Sequence, residues 1–281
     1  MDQGHTQING PHQGGWVELP SGESWFLHFQ DRGPYGRIVH LQPMSWQNDW
    51  PVIGIDRDGD VKGEPAAIYR KPNVGRSYPI DAPQTTDEFN QRTLGLQWQW
   101  QANFDEQWLS LSDRHGWLRL NSIVAPVKAT NLWAVPNLLL QKLPAAEFTV
   151  TTRVDARGLA TNERTGLVMM GMNYSYLAIV KTAKGFRLVQ VICRDAQNGS
   201  EETELAGIEL NGASAFLRVT VADGPVCRFS YSTDGRKFSE LGESFKAREG
   251  RWIGAKVGLF SLAQSSARRN GYAEFDWFRF E

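Results

Sequence analysis

Three carboxylates alternate in Asp56-Arg-Asp-Gly-Asp60, a spacing that can wrap oxygen ligands around a hard cation such as calcium. The stretch lacks the twelve-residue loop and closing glutamate of an EF-hand, so it reads as a polar turn. Two thiols, Cys193 and Cys227, lie in the strand-like runs Leu188-Val-Gln-Val-Ile-Cys193 and Val226-Cys-Arg-Phe-Ser-Tyr231. There a thiol acts as a small buried apolar group, and a disulfide between neighbouring strands is the alternative. Neither has a histidine beside it in sequence to make it a nucleophile. Eleven tryptophans offer flat faces with a polar edge, which suit sugar rings, although in a β-rich chain most of them fill cores. Trp16, Trp25, Trp46 and Trp50 are expected inside the first sheet.

The composition bounds what these groups can do. With 281 residues, 41% hydrophobic and 22% charged, the chain can build one large or two ordinary globular domains. A net charge of −1 from 30 basic and 31 acidic residues, with no block of like charge, favours neither nucleic acid nor an anionic membrane. No apolar run approaches the roughly 20 residues that span a bilayer, and Met1-Asp-Gln-Gly-His5 has no signal-peptide character. The expectation is a cytoplasmic chain, or one whose leader lies upstream.

The elements that must position these groups read as strands throughout. Runs rich in Val, Ile, Phe, Trp and Thr alternate with Gly, Pro, Asn and Asp, and no 3.6-residue apolar period persists. Four strands are expected between Gly14 and Val52: from Gly15, from Ser24, from Gly36 and near Trp50, enough for one propeller blade. Pro72, Gly75, Pro79 and Pro83 mark residues 71–86 as a linker between a domain at 1–70 and another at 87–281. The second domain carries eleven expected strands, beginning with Trp98 to Ala102 and Trp117 to Asn121 and ending with Gly271 to Glu281. Asn198-Gly, Asn211-Gly, Asp223-Gly and Asp234-Gly punctuate them, which argues for a jelly-roll sandwich.

Gly10-Pro-His-Gln-Gly-Gly15, Trp25-Phe-Leu-His-Phe-Gln-Asp31 and Tyr35-Gly-Arg-Ile-Val-His-Leu-Gln-Pro-Met44 resemble the last part of the five-bladed β-propeller of glycoside hydrolase family 43, the β-xylosidases and α-L-arabinofuranosidases. Thr165-Gly-Leu-Val-Met-Met-Gly-Met-Asn-Tyr174, Phe229-Ser-Tyr-Ser-Thr-Asp-Gly235, Trp252-Ile-Gly-Ala-Lys-Val-Gly-Leu-Phe260 and Asp276-Trp-Phe278 resemble the concanavalin A-like domain that follows that propeller. The fold implied is all-β, a concanavalin A-like sandwich after about one propeller blade.

Glycosidases flank the scissile bond with two carboxyl groups, one protonating the leaving oxygen and one activating water or attacking the sugar. The resemblance places the family's aspartate base, glutamate acid and third aspartate in earlier blades, before the Gly-Pro-His-Gln stretch. Asp2, Glu18, Glu23 and Asp31 stand in no matching context, so no catalytic residue is expected in this chain. The resemblance implies accessory roles instead. His12 would help hold a hydrated calcium, and Arg37 would fork hydrogen bonds toward the substrate. Trp252 would cover the sugar. Asp87 and Asp276 have the placement to tie the first and last sandwich strands through a structural calcium, and salt bridges or caps explain the pair equally well.

Three functions compete. The first is the C-terminal part of a β-xylosidase or arabinofuranosidase acting on hemicellulose oligosaccharides, with the other propeller blades as partner. The second is a non-catalytic module that binds hemicellulose. The third is a scaffold that associates with copies of itself through an unpaired blade.

Overall fold

The structure, a computed structural model, describes residues 1–8, 13–264 and 271–281. They divide into two compact units, residues 1–32 with 37–82, and residues 33–36 with 83–281. Among the described residues helical structure is limited to single 3-10 turns, and residues 71–86 contribute no strand.

The first unit is an antiparallel meander of β1 (Gly14–Glu18), β2 (Ser24–Asp31), β3 (Arg37–Gln47) and β4 (Trp50–Ile53) in that spatial order. Gly22, at φ +80°, lets the first hairpin close, with its N–H on the Leu19 carbonyl. Asn48 and Asp49, both at positive φ, close the β3–β4 hairpin, a two-residue turn that suits the twist of paired strands. The expected four strands are present, with β3 running beyond Leu41 to Gln47.

The tryptophans divide otherwise than expected. Trp25 is buried against Tyr69, their centroids 5.7 Å apart, whereas Trp16, Trp46 and Trp50 are about half exposed or more. Register puts Trp16 and Trp46 on one face and Trp25 and Trp50 on the other, and a single sheet covers neither face completely. Register places Leu27 opposite Leu41 and Phe29 opposite Val39 on the face that carries Val17. Val17, Leu27, Val39 and Leu41 are all more than two-fifths exposed.

The second unit is a two-sheet sandwich. Among the described residues one sheet is eight-stranded, with Val226–Ser232, Ser214–Ala222, Phe148–Asp155, Tyr272–Phe280 and Leu118–Asn121 as consecutive neighbours. The other, also eight-stranded, runs Thr203–Leu210, Gly185–Cys193, Tyr174–Thr182, Arg164–Met170, Lys256–Ala263 and Leu139–Lys142. Val150, Val154, Leu217, Val219, Phe275 and Phe278 from the first sheet meet Leu167, Met169, Leu177, Ile179, Val257 and Leu259 from the second in one core. Burying each such side chain contributes about 1.5–3 kcal/mol.

The alternate residues of the second sheet are buried too. Val168, Met170, Tyr174, Tyr176, Phe260 and Leu262 pack on its outer face beneath Leu132, Val135 and Leu138. A sheet covered on both faces reads as continuous apolar sequence, which is why Lys256–Ala263 shows no alternation. The two cysteines fall in different sheets, both free, and burial pushes the Cys227 thiol up to about 12. The disulfide alternative therefore does not hold, and Cys227 is an inert core residue.

Candidate functional site

In the second unit the turn from Gly250 to Gly254 presents Trp252. The Gly250 N–H donates to the Gly254 carbonyl at 3.3 Å, the Ala255 N–H to Pro34 O at 2.7 Å, and the Met172 N–H to Glu249 O at 2.8 Å. A Cβ on Gly254 would lie 2.5 Å from the Gly36 nitrogen, so only glycine fits there. On this pinned turn Trp252 sits at φ +63° with 77% of its surface exposed. A bulky residue in the left-handed region costs on the order of 1–3 kcal/mol, and the exposed indole returns nothing to the core.

In the first unit Arg37 opens β3 on the surface, its guanidinium 4.6 Å from the centroid of Phe29. Behind it, His28 and His40 are register partners with stacked rings 5.2 Å apart, and neither Nε2 has a hydrogen-bond partner among the described residues. Burial holds both histidines below the ordinary imidazole pKa, and for His40 the charges of His28 and Arg32 add to it. Both therefore fold neutral. Their contribution is complete above the unfolded-state pKa of about 6.5 and is lost as pH falls through the lower folded values. The first unit is expected to melt earlier at pH 5 than at pH 7.5. Each 1 kcal/mol lost lowers Tm by about 4–8 °C in a domain of this class. A His28→Phe/His40→Phe double variant should remove the dependence, and a wild-type midpoint flat between those pH values would count against it.

Of the candidate metal ligands, Asp87 and Asp276 are each engaged by other protein groups. His12 lies outside the described residues. The Asp87 carboxylate accepts from the Phe89 N–H at 2.8 Å, the Trp98 indole N–H at 2.8 Å and the Gln97 amide at 3.2 Å. Surrounded by donors, it is poorly suited to calcium, which asks for six to eight oxygen ligands. Asp87 instead pins the chain's entry to the last strand, through its backbone bridge with Phe278. Asp276 faces Arg153 at 3.0 Å. Among the described residues one trio of carboxylates is close enough to share an ion, Asp56, Asp58 and Asp60. Its oxygens accept backbone N–H groups of Gly59, Asp60, Val61 and Lys62, as a polar turn requires.

Two other carboxylates do meet. Asp155 and Glu274 are register partners on adjacent strands and both are buried. Arg114 lies between them, 3.3 Å from Asp155 and 2.8 Å from Glu274, while Arg157 and Arg119 hold the outer sides. A guanidinium occupies the gap a sugar would need. Burial alone would raise the Asp155 pKa, but Arg157 and Arg114 outweigh it and hold the carboxyl below its usual range. Glu23 is likewise lowered, by the Asn73 N–H and by Arg70. A general acid needs the opposite displacement.

Sequence reading missed Lys256. It stands at an outward position of an otherwise uncharged strand, and its one signal was that charge in Lys256-Val-Gly-Leu-Phe-Ser-Leu-Ala263.

Residues 86–281 match the family model of the β-xylosidase C-terminal concanavalin A-like domain. The chain is 36% identical to a protein of Xylanibacter ruminicola provisionally named a β-xylosidase, across 95% of this chain and 48% of that one. It is 30% identical to a β-xylosidase of Formosa agariphila, across 96% of this chain and 47% of that one. A solved bifunctional GH43-CE protein of Bacteroides eggerthii superposes with a TM-score of 0.79 at 28% identity, across 96% of this chain and 34% of that one. The chain thus spans about half the length of the curated relatives it matches.

Proposed function

The chain belongs to glycoside hydrolase family 43 through its β-xylosidase C-terminal concanavalin A-like domain, and from that premise we propose that it supplies sugar recognition to an enzyme acting on the ends of xylan or arabinoxylan oligosaccharides. The names of its relatives favour xylose over arabinose as the sugar released. The catalytic carboxylates are provided by residues beyond those of this chain, and the exposed face of Val17, Leu27, Val39 and Leu41 is the surface against which neighbouring blades pack. Arg37 is a polar contact to the substrate.

The observation that carries this reading is Trp252, strained, exposed and pinned at the turn's tip. An indole there covers a pyranose ring with its face and leaves its N–H free for a hydroxyl. Calorimetric titration of the chain with xylo-oligosaccharides should give saturable binding. Trp252→Ala should weaken it at least tenfold, about 1.4 kcal/mol. Trp252→Gly should bind as weakly while melting at the wild-type temperature or above it, because glycine releases the positive-φ strain. Wild-type affinity in both variants would overturn the assignment.

A further inference from the structure

We infer that a second subsite, built around Lys256 on the outer face of the sandwich's second sheet and walled by the turn that carries Trp252, binds the carboxylate of a single acidic sugar. A cavity of about 180 Å³ there is lined by Gln101, Trp133, Met170, Arg251 and Lys256, with Gly171, Gly250 and Gly254 opening its walls. Lys256 is 9% exposed and has no hydrogen-bond or ion-pair partner among the described residues. A buried, unpaired ammonium is costly, and a methionine or leucine would fill the same place without that cost. The register makes it worse. Lys142 stands directly opposite Lys256 on the adjacent strand, and like charges so placed repel. Burial first and Lys142 second hold the Lys256 ammonium below its ordinary pKa, a displacement that a bound anion would reverse.

The chemistry of the lining names the ligand. Lysine, arginine and the indole N–H can only donate, the Gln101 amide can do both, and no carboxylate lines the cavity. Such a set asks for an acceptor-rich anion. The volume lies below the roughly 300–1,000 Å³ of sites for drug-sized ligands, so it admits one ring. Trp133 provides a flat wall for that ring, while Arg251 and Lys256 meet the charge. An oligosaccharide carrying a hexuronic acid branch combines ring and carboxylate in one residue. The choice of a sugar rests on the hemicellulose reading. The anion chemistry does not.

The test is ligand-observed NMR titration of the whole chain, at low salt and pH 7, with glucuronate, xylose and inorganic phosphate in parallel. Glucuronate should saturate, with xylose and phosphate each at least tenfold weaker. Lys256→Met should weaken glucuronate tenfold or more while keeping or raising the melting temperature. Arg251→Ala, on the exposed turn, should weaken it severalfold and serves as the readout if the core variant does not fold. Unchanged glucuronate affinity in these variants would overturn the site. Phosphate binding as tight as glucuronate, or xylose binding as tight, would overturn the acidic-sugar assignment. Loss or retention of neutral xylo-oligosaccharide binding in Trp252→Ala supports or overturns the Trp252 reading alone, because the glucuronate titration of Lys256→Met is read independently of it.

Discussion

Replacing Glu274 with alanine is expected to cost the sandwich about 3–5 kcal/mol, the usual loss when one member of a buried ion network is removed. Glu274 accepts from Arg114 at 2.8 Å and from both Nε and Nη2 of Arg119, at 3.2 and 2.7 Å. Arg119 lies 3.9 Å above the Tyr272 ring and Arg114 lies 3.5 Å above Trp117, so each cation is held by an aromatic face as well as by its acid. Without Glu274, Arg114 keeps only Asp155, which Arg157 already engages, and Arg119 keeps only the more exposed Asp113. Glu274→Gln keeps the shape and some of the hydrogen bonds, so it should lose less. Urea unfolding followed by tryptophan fluorescence measures both, and the midpoint should fall with the slope unchanged. A loss below about 1 kcal/mol for the alanine variant would place the network with ordinary surface pairs.

This network shows what the sequence conceals. Asp155 and Glu274 are distant in sequence and become partners only because Phe148–Asp155 and Tyr272–Phe280 pair in register, a long-range event with no local signature. The strands themselves were legible. Their lengths and punctuation follow from β-branched runs and Gly-containing turns, and eleven expected strands of the sandwich appear close to their expected bounds. Shorter ones such as Leu139–Lys142 and Phe245–Lys246 went unseen, since two to four residues carry too little pattern. Burial of the second sheet on both faces was hidden as well, because its outer cover comes from the irregular stretch around Leu132 and Val135.

The candidate site divides along the same line. Trp252 was legible through its family-like run, yet its strained backbone emerges only from the turn that Gly250 and Gly254 close. Asp87 was expected from its position at the start of the domain, and its part is a hydrogen-bonded anchor whose Trp98 and Gln97 donors lie ten or more residues away. Lys256 gained meaning only once Lys142 was placed opposite it.

The second large effect concerns turnover itself. Enzymic rate enhancements run to about 10⁶-fold and beyond, and glycosidases obtain theirs from two carboxyl groups about 5–5.5 or 6.5–9.5 Å apart with room for a sugar between. Among the described residues the buried carboxyl pair Asp155 and Glu274 is bridged by Arg114, and the displaced carboxyls Glu23, Asp60, Glu88, Asp155 and Asp234 are all displaced toward the ionised form. An ionised carboxylate has no proton to give a leaving oxygen. The most direct measurement is hydrolysis of an aryl β-xyloside by the purified chain, repeated with Glu23→Gln, Asp155→Asn and Glu274→Gln. The expected result is release of the aryl group at the buffer rate in every case. Turnover well above buffer, abolished by one of these substitutions in a variant that keeps its unfolding midpoint, would contradict it.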